Sequence, residues 1–360
     1  MGKLITSRAV KYLTTNSLAA RLQNSNTLRT IGPESGFHFE DSRIFVMVDR
    51  NKASREIPSR ENISAVIVTH QPGHGMESML RSIVDHVGKI IVVDNASKQK
   101  TRDWLQSLTA ETGCTLLLNE QNLGIAAGLN QGIRVVADHG HAWVLMLDQD
   151  SKPDPEMVEE LCQGYTRLIN PDVIAILAPR IVDANTGRET PFLTRSWGFF
   201  FRRVACSSAV IDNITTAITS GALLRVAAFI DLDGYREDFF IDYVDTEFCL
   251  RLQVNGWRLA AICPATLHHH LGNRTRTRIG PAQVYPTHHP PIRWYTMGRN
   301  RIQMLKMYAF RFPHWLAYEL VACAFITLRM LLTEEEQFKK LRSSFRGTWD
   351  GLRGRMGPPA

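Results

Sequence analysis

The sequence lacks the cysteine spacing of zinc ribbons and of disulfide-rich secreted domains. Its six cysteines stand at positions 114, 162, 206, 249, 263 and 323, and no two of them form a CxxC pair. This pattern argues against a structural zinc site and against a disulfide framework. It predicts a reducing compartment, in which most of the cysteines are small apolar core residues.

The sequence also lacks a long uncharged apolar run. Its most apolar segment, Trp315–Leu332, contains Glu319 and Arg329, whereas a membrane-spanning helix needs about 20 mostly uncharged residues. We therefore predict either a buried helix or a helix that lies at a membrane surface. No continuous apolar stretch precedes a small-residue cleavage site near the N-terminus, so we predict no secretory signal.

Acidic residues are absent from the first 33 positions, which contain five basic residues, and the whole chain carries a net charge of +7. Other basic residues cluster in Gly272–Arg278 and after Phe338. Basic surface favours an anionic partner such as nucleic acid, acidic lipid head groups or phosphorylated small molecules. Because no nucleic-acid recognition motif or aromatic stacking series accompanies these charges, we predict no nucleic-acid partner.

The texture of the chain changes near residue 60. Residues 1–60 show no sustained period and are predicted to be an extension, partly disordered, in which Arg43–Asp49 has the composition of a strand. After residue 60, β-branched runs at 64–70, 89–94, 114–119, 142–148 and 173–179 alternate with helical patterns. This alternation indicates βαβ units, so the predicted fold class is α/β, with a mainly parallel central sheet and helices on both faces.

Carboxylates follow two of these strands at the point where each strand ends. Asp94 ends the second predicted strand, and Asp148 and Asp150 end the fourth, in the motif "LDQDS". Ligands bind beyond the carboxyl ends of the strands in such sheets. Two carboxylates two residues apart can hold Mg²⁺ or Mn²⁺, although a turn or a helix cap explains the same pattern.

Polar residues and glycines at the neighbouring strand ends suit a nucleotide. Asp94 and Asn95 can hydrogen-bond a nucleobase or a ribose, or they can form an ordinary Asx turn. Asn122 and Gly124 stand at a predicted helix start, and a helix N-terminus favours a diphosphate. The sequence has no GxGxxG or P-loop lysine motif, which disfavours dinucleotide-binding and P-loop enzymes.

Three more carboxylates, Asp242, Asp245 and Glu247, crowd the start of a helical stretch. They exceed what helix capping requires, and one of them can act as a general base. The small-residue segment Ile218–Arg225 either passes close to a ligand or is a plain strand bend.

Three histidines, His268, His269 and His270, follow an apolar run. Because alternate residues of a strand point in opposite directions, at most one or two of them face any one site, where one can complete a metal's ligand set. The arginines that follow either clamp phosphates or form a solvated basic loop.

Taken together, these motifs resemble the family-2 glycosyltransferases of GT-A fold, particularly the bacterial rhamnosyltransferase subgroup that builds surface polysaccharides such as the O-antigen of lipopolysaccharide. The resemblance runs from about Ile63 to Arg301. The motifs that carry it occur in the family's order: "VIVTH", "VVDNAS", "NLGIAAGLNQGI", "LDQDS", "SGALLR", "FFIDYVDTEFCLR", "HHLG" and "RWYTMGRN".

The resemblance implies a role for each matching residue. Asp245 corresponds to the catalytic aspartate. Asp150, Asp148 and His269 correspond to residues at a Mg²⁺ or Mn²⁺ ion, with Asp148 nearer the ribose or sugar. Thr69 and Asp94 correspond to residues that contact the donor nucleotide, and we add Asn95, Asn122 and Gly124 to this group. Supporting or acceptor-side roles fall to Asp242, Glu247, Arg293, Tyr295 and Arg299, and Asn300 matches the same terminal motif.

Two positions depart from the family pattern. His70 and Gln71 stand where the family usually has Tyr-Asn, which puts the base contacts in doubt, and Val244 stands where many relatives have Glu. The rhamnosyltransferase subgroup tolerates the second change.

The resemblance implies an inverting transfer of a sugar, L-rhamnose from dTDP-L-rhamnose, to a glycan or lipid-linked acceptor. The alternatives are another donor sugar, such as galactofuranose or a hexose, or a catalytically silent protein of this fold that binds glycans or membranes. The domains implied are a transferase domain at 61–301 and a helical, basic segment at 302–360. The apolar segment and the basic charge predict a cytoplasmic enzyme, peripheral at the inner face of the membrane.

Overall fold

The computed structural model describes residues 56–73, 75–270, 272 and 274–359. The predicted extension lies almost wholly outside the described residues, and so does its candidate strand at Arg43–Asp49. Asp94, the acidic motifs and the C-terminal segment all lie within them.

Strands and helices alternate through the first half of the described chain. The elements are β1 (Ile63–Thr69), α1 (Gly75–Ile83), β2 (Lys89–Asn95), α2 (Gln99–Thr112), β3 (Thr115–Asn119), α3 (Gly124–Asp138), β4 (Trp143–Asp148), β5 (Lys152–Pro153), α4 (Met157–Thr166) and β6 (Ile174–Asp183).

The second half contains shorter strands and longer helices. Its elements are β7 (Phe192–Arg195), β8 (Phe201–Val204), β9 (Val210–Asp212), β10 (Leu223–Arg225), α5 (Val226–Asp231), α6 (Val244–Val254), β11 (Arg258–His269), β12 (Thr277–Ile279), β13 (Ala282–Val284), α7 (Pro291–Tyr308), α8 (Pro313–Thr333) and α9 (Gln337–Leu352).

The central sheet has the strand order β3-β2-β1-β4-β10-β6-β11-β5, and β9 pairs with β11. Strands β1 to β4 are parallel, as are β6 and β11, whereas β10 runs antiparallel between β4 and β6. The predicted α/β fold is confirmed, but β6 does not continue the parallel series directly. The segment Ile218–Arg225 supplies the inserted strand β10, because its chain turns at Ser220 and Gly221 and then pairs with β4.

Both faces of the sheet are buried beneath helices. Alternate residues of β1 point to opposite faces, so Val66 and Val68 pack with α3 and α6, while Ala65 and Ile67 pack with α1 and α4. All seven residues of β1 are buried, which explains why such strands read as continuous apolar runs.

The register of the sheet brings three polar strand ends together. Thr69 of β1 lies beside Asp94 of β2, and Val68 lies beside Asp148 of β4. Because these strands are parallel, their carboxyl ends share one edge of the sheet, and the candidate site lies beyond that edge.

The C-terminal helices pack onto this core. Helix α9 lies tightly against α7, where a Cβ added to Gly347 would stand 2.0 Å from the Tyr295 carbonyl oxygen. Helix α7 continues through residue 301, so the predicted domain boundary falls inside a helix.

Helix α8 is, among the described residues, the one helix long and apolar enough to cross a membrane. Only four of its 21 residues are buried, so the alternative of a buried helix does not describe it. Its two charged side chains point towards the protein: Arg301 donates to Glu319 (Nε to Oε1, 2.8 Å) and Arg329 donates to Thr287 (Nη2 to Oγ1, 3.4 Å).

The cysteine spacing argued against a disulfide framework, yet two of the cysteines are paired. Cys206, which precedes β9, and Cys263 of β11 form a disulfide with a Cα–Cα distance of 5.4 Å. The sequence separates them by 57 residues, and only the pairing of β9 with β11 brings them together. The other four cysteines are free, and Cys249 among them is buried.

Candidate active site

A cavity of about 790 Å³ lies beyond the shared edge of the sheet. Its walls come from the ends of β1, β2, β4 and β11, from the N-terminus of α3, and from the segments that precede α6 and α7. A cavity of this size holds a ligand as large as a nucleotide sugar.

Three side chains on one wall form a cluster suited to a metal ion. Each of Asp148, Asp150 and His269 offers a ligand atom, and these atoms lie within 4.8 Å of one another. The His269 Nε2 atom is 3.5 Å from Asp148 Oδ2. Opposite ligands of a small divalent cation stand about 4 Å apart, so the cluster matches the size of such an ion.

The imidazole of His269 supports the same conclusion. The ring is nearly buried, and the nitrogen that faces Asp148 is Nε2. The other nitrogen, Nδ1, has no hydrogen-bond partner among the described residues. Two carboxylates and one imidazole form a ligand set suited to a divalent cation. The residues present therefore fit a metal ion.

The carboxyl group of Asp148 has a perturbed pKa. Burial, together with the charges of Asp150 and Asp245, raises this pKa to about 6, against the lowering effect of the nearby His269. Asp245 is thus close enough to Asp148 for their charges to interact, although the two residues are 97 positions apart in the sequence.

Asp245 lies in the first turn of α6 and lines the same cavity. Its Oδ1 atom accepts a hydrogen bond from the Thr246 backbone N–H at 2.7 Å. Burial raises the pKa of its carboxyl group, and the neighbouring Asp242 adds to this effect. A partly desolvated carboxylate beside a cavity is a candidate general base.

Asp242 also lines the cavity and is held by α7. Arg293 donates to both of its carboxylate oxygens (Nη2 to Oδ1, 2.6 Å; Nε to Oδ2, 3.1 Å), and Thr296 donates to Oδ2 as well. Arg293 itself lines the cavity. Asp242 and Arg293, each predicted to have a supporting or acceptor-side role, therefore form an ion pair at the cavity wall.

Thr69, Asn95, Asn122 and Gly124 all line the cavity. Asn95 donates to the Gly124 carbonyl oxygen at 2.9 Å, and the Gly124 backbone N–H donates to Asn122 Oδ1 at 2.9 Å. Gly124 has φ +85°, and an added Cβ would stand 2.6 Å from Phe240. Glycine is required here by both conformation and space.

Asp94 differs from its neighbours because its side chain is fully buried and does not line the cavity. Its oxygens accept hydrogen bonds from Thr69 Oγ1 at 3.2 Å and from the Ser97 N–H at 2.9 Å, and Arg102 lies 3.7 Å away. In this geometry Asp94 braces the end of β2. The predicted contact of Asp94 with a donor nucleotide stays a prediction.

Three predicted supporting residues lie behind the cavity. Glu247 is buried, forms an ion pair with Arg251 (Oε1 to Nε, 2.9 Å), and accepts from the Tyr308 hydroxyl at 2.9 Å. Tyr295 donates to Asp350 of α9 at 3.0 Å. Arg299 is buried and donates to backbone carbonyl oxygens. None of the three is among the residues that line the described cavity.

Within β11 the side chains of His268 and His269 point to opposite sides, as the alternation of a strand predicts, whereas His270 lies beyond the end of β11. His268 points away from the cavity and lies 3.2 Å from Asp154, whereas His269 and His270 line the cavity. Of the arginines that follow, Arg274 lines the cavity and pairs with Asp183 at 2.8 Å, while Arg276 and Arg278 do not line it.

Sequence reasoning missed several residues of the cavity wall. One is Ser220, whose hydroxyl accepts a hydrogen bond from the Asp148 backbone N–H at 3.2 Å. The others are the residues of the segment Thr287–Pro290, which forms the wall before α7. The "SG" turn belongs to the segment Ile218–Arg225, whose small residues suggest either a place close to a ligand or a plain strand bend. The histidines of "THHPP" carry no periodic signal. Apolar wall residues such as Phe240 and Ile241 resemble core residues in sequence.

Known proteins share both the sequence pattern and the fold. Residues 64–233 match the model of the family described as Glycosyl transferase family 2. The chain is 25% identical over 299 residues to the dTDP-rhamnosyl transferase RfbF of Shigella flexneri, covering 82% of this chain and 97% of that protein.

A solved structure supports the fold alone. The mannosyltransferase PcManGT from Pyrobaculum calidifontis, in complex with GDP-Man and Mn²⁺, superposes with a TM-score of 0.51. The two are 13% identical, and the match covers 85% of this chain and 93% of that one.

Proposed function

Because this chain is a family-2 glycosyltransferase, we propose that it moves a sugar from a nucleotide donor to a hydroxyl group with inversion at the anomeric carbon. The observation that carries the proposal is the meeting of two groups in one cavity. The Asp148–Asp150–His269 cluster suits a metal ion, and Asp245 suits a general base. The first assists the departure of a diphosphate, and the second accepts the proton of the attacking hydroxyl group.

In the proposed reaction the acceptor oxygen attacks the anomeric carbon from the face opposite the diphosphate. The bond from that carbon to the diphosphate oxygen breaks, and the acceptor's proton passes to Asp245. The raised pKa of Asp245, which burial causes, makes its carboxylate a stronger base than an exposed aspartate. One wall then binds the leaving group while the other removes the proton, so part of the acceleration comes from positioning.

We assign a metal ion, Mg²⁺ or Mn²⁺, to the site formed by Asp150, Asp148 and His269. When bound, such an ion neutralises charge on the departing diphosphate. Asp150 is exposed at the rim, whereas Asp148 is partly buried, which favours Asp150 as the direct ligand and Asp148 for the sugar or ribose side. Thr69, Asn95, Asn122 and Gly124 then face the nucleotide.

The donor we propose is dTDP-L-rhamnose. The support is the likeness to a dTDP-rhamnosyl transferase over 82% of the chain. The acceptor we propose is a glycan, free or lipid-linked, in surface polysaccharide synthesis. Asp242 and Arg293, on the wall that leads to α7, are the residues we assign to the acceptor side.

We propose further that the enzyme works at the cytoplasmic face of a membrane through a C-terminal surface made of α8 and α9. The exposed side chains of α8 include Leu320, Val321, Phe325, Leu328 and Leu332, none of them charged. Helix α9 exposes a stripe of Phe338, Phe345, Trp349 and Leu352, beside Lys339, Arg342 and Arg346. Apolar side chains flanked by basic ones suit anionic lipid head groups.

Two measurements test the transferase proposal. In a thermal-shift panel with Mn²⁺, dTDP-L-rhamnose should stabilise the protein more than UDP-galactofuranose or UDP-hexoses, because a donor that binds the folded state raises its melting temperature. Stabilisation by a different sugar would change the donor. No stabilisation and no transfer with any donor would favour a silent binding protein instead.

Asp245→Asn should lower kcat by about 10²–10⁴-fold, the usual contribution of a positioned base. Donor binding should persist, because Asp245 lies on α6 and is not one of the three residues of the candidate metal cluster. Asp233→Asn, in the turn after α5, serves as a control because this aspartate does not line the described cavity. Unchanged turnover of Asp245→Asn would refute the assignment.

A further inference from the structure

The segment Phe239–Tyr243, which leads into α6, adopts an unusual backbone conformation. Phe240, Asp242 and Tyr243 have φ angles of 61°, 66° and 62°. None of them is glycine, and side-chain-bearing residues rarely adopt this region. Such a conformation persists only where the surroundings hold it, and it concentrates at functional sites.

Every carbonyl oxygen of this segment accepts a hydrogen bond. Phe240 O accepts from the Ile125 N–H at 2.9 Å, and Tyr243 O accepts from the Glu247 N–H at 2.8 Å. The other three all lie within hydrogen-bond distance of one side-chain nitrogen, Asn300 Nδ2: Phe239 O at 3.0 Å, Ile241 O at 2.8 Å and Asp242 O at 2.9 Å. Phe239 O also accepts from the Ile241 N–H at 2.7 Å. The NH₂ group has two hydrogens, so this single amide of α7 binds three of the five carbonyl groups with one hydrogen shared between two of them.

The Asn300 amide is itself held in place. Its side chain is fully buried, and Arg299 Nε donates to its Oδ1 atom at 3.0 Å, which directs the NH₂ group at the carbonyl oxygens. Arg299 is anchored in turn by the Gly357 carbonyl oxygen at 2.6 Å and by the Phe239 carbonyl oxygen at 3.3 Å. The orientation of the amide therefore follows from its neighbours.

The cavity wall includes the segment from Phe240 onwards and continues to Asp245, whereas Asn300 is not among the cavity-lining residues. Any shift of the segment moves Asp245, which follows it by two residues, and moves Asp242 with it. Asn300 thus acts on the cavity only through the backbone that it binds.

We propose that Asn300 is a positioning residue for sugar transfer: it holds Phe239–Tyr243 in its strained conformation and so directs Asp245 at the acceptor. The proposal rests on the proposed function, because it takes Asp245 as the base. It assigns to the "RN" of the α7 motif a mechanical task that is separate from ligand binding.

The test compares Asn300→Asp with the unmodified enzyme. Aspartate keeps the size of the side chain and the acceptor for Arg299, but it removes the NH₂ donor that binds the three carbonyl oxygens. We expect kcat to fall by about 10²-fold, the effect of displacing a reacting group by roughly an ångström. Binding of dTDP with Mn²⁺, measured by calorimetry, should stay at the wild-type level, because the metal cluster lies on other elements.

Gln303→Ala is the matched control, since this α7 side chain donates to the Gly351 carbonyl oxygen and does not contact the segment. Amide hydrogen exchange of the peptide that contains residues 239–245 should rise in Asn300→Asp and stay unchanged in the control. Asn300→Ser, which keeps one donor, should show intermediate kcat and exchange, and it serves if the aspartate variant folds poorly.

The acid limb of the pH–rate profile adds a readout that a purely structural residue would not move. Loosening the segment should hydrate Asp245 and shift this limb to lower pH. Wild-type kcat and unchanged exchange in Asn300→Asp would overturn the inference, as would a parallel loss of kcat and of dTDP binding. If the unmodified enzyme transfers no sugar, the proposed function fails, and the exchange measurement alone then decides whether Asn300 holds the segment.

Discussion

Asp148 and Asp245 line one cavity, and burial raises the pKa of both carboxyl groups. Their neighbours differ, however. Asp148 faces the imidazole of His269 and the carboxylate of Asp150, whereas Asp245 accepts from the backbone of its own helix. Two carboxyl groups in different surroundings can take different tasks, and here one suits a metal ion and the other suits a proton.

The pKa of about 6 for Asp148 predicts that metal binding depends on pH. Protons compete with the ion for this carboxylate below that pH, so Mn²⁺ affinity should fall by up to about tenfold for each pH unit below 6. Calorimetric titration with Mn²⁺ between about pH 5 and 8 measures this dependence. An affinity that does not change over this range would contradict the placement of Asp148 at the ion.

The same pKa has a consequence for the metal-free protein, with the opposite sign. The folded pKa of Asp148 is raised from 3.8, so the folded state binds this proton more tightly than the unfolded state does. The contribution of this group to the free energy of unfolding therefore rises as the pH falls through about 6 towards 4. Comparison with Asp148→Asn by denaturant unfolding isolates this contribution, because the variant lacks the titration.

At the scale of elements, the contact between α3 and the sheet sets the geometry of the nucleotide side. Glycines at 128 and 132 allow α3 to approach β1 closely: a Cβ at Gly128 would stand 2.7 Å from Val68, and one at Gly132 would stand 2.5 Å from Val66. This close approach brings the N-terminus of α3, with Gly124, to the cavity. The sequence pattern predicted α3 itself, and the contact explains why its interior tolerates glycines.

Gly132→Ala should therefore destabilise the protein, although alanine is the better helix former by about 1 kcal/mol. The added methyl group overpacks the contact with Val66, which costs typically about 1–3 kcal/mol. The midpoint of urea denaturation measures the change. Gly75→Ala at the exposed start of α1, where a Cβ meets nothing within 4 Å, is the control. A Gly132→Ala protein at least as stable as wild type would show that α3 can move away from β1.

At the scale of the whole molecule, the two helices of the C-terminal surface, α8 and α9, place their charged side chains differently. The charged residues of α8 point inward, where Glu319 binds Arg301 and Arg329 binds Thr287, and the exposed side of that helix is apolar. The exposed side of α9 combines aromatic and basic side chains. This separation suits an interface between water and lipid better than it suits bulk water.

The protein should accordingly sediment with vesicles that contain phosphatidylglycerol, and less with vesicles of phosphatidylcholine alone. The double variant Arg342→Ala/Arg346→Ala should weaken this binding by roughly 2 kcal/mol, about 1 kcal/mol for each basic residue near an anionic surface. Phe345→Glu should abolish it. Ile169→Glu, at an exposed apolar residue of another surface, should not alter it.

Added salt should weaken the vesicle binding as well, because it screens exposed charges. Equal sedimentation with both vesicle types would count against lipid recognition by charge. A dimer in ultracentrifugation that the Phe345→Glu change disrupts would instead assign the surface to a second copy of the chain.

Much of the fold follows from local pattern. The strands β1 to β4 match the predicted segments to within a few residues, and helices lie between them as predicted, because hydrophobic period and strand length are properties of neighbouring residues. The rule that parallel strands end at one edge of the sheet predicts the position of Asp148 and Asp150. The ordered motifs of the resemblance alone imply that the segment around Asp245 joins them.

The features that could not be predicted depend on contacts between distant parts of the chain. Strand β10 pairs with β4 across 78 positions at Leu223 and Leu145, and no local pattern signals such an insertion. The disulfide of Cys206 with Cys263 and the grip of Asn300 on Phe239–Tyr243 arise in the same way.

The sequence by itself determined the alternation of strands and helices, the α/β class and the acidic strand ends, since each depends on residues within one or two elements. Only the tertiary structure decided which acidic residues reach the cavity. Asp94 and Glu247 look like Asp148 and Asp245 in the sequence, yet Thr69, Ser97, Arg251 and Tyr308 occupy their oxygens within the protein. Whether a carboxylate faces a ligand or a neighbour is set by packing, which brings together residues that the sequence keeps far apart.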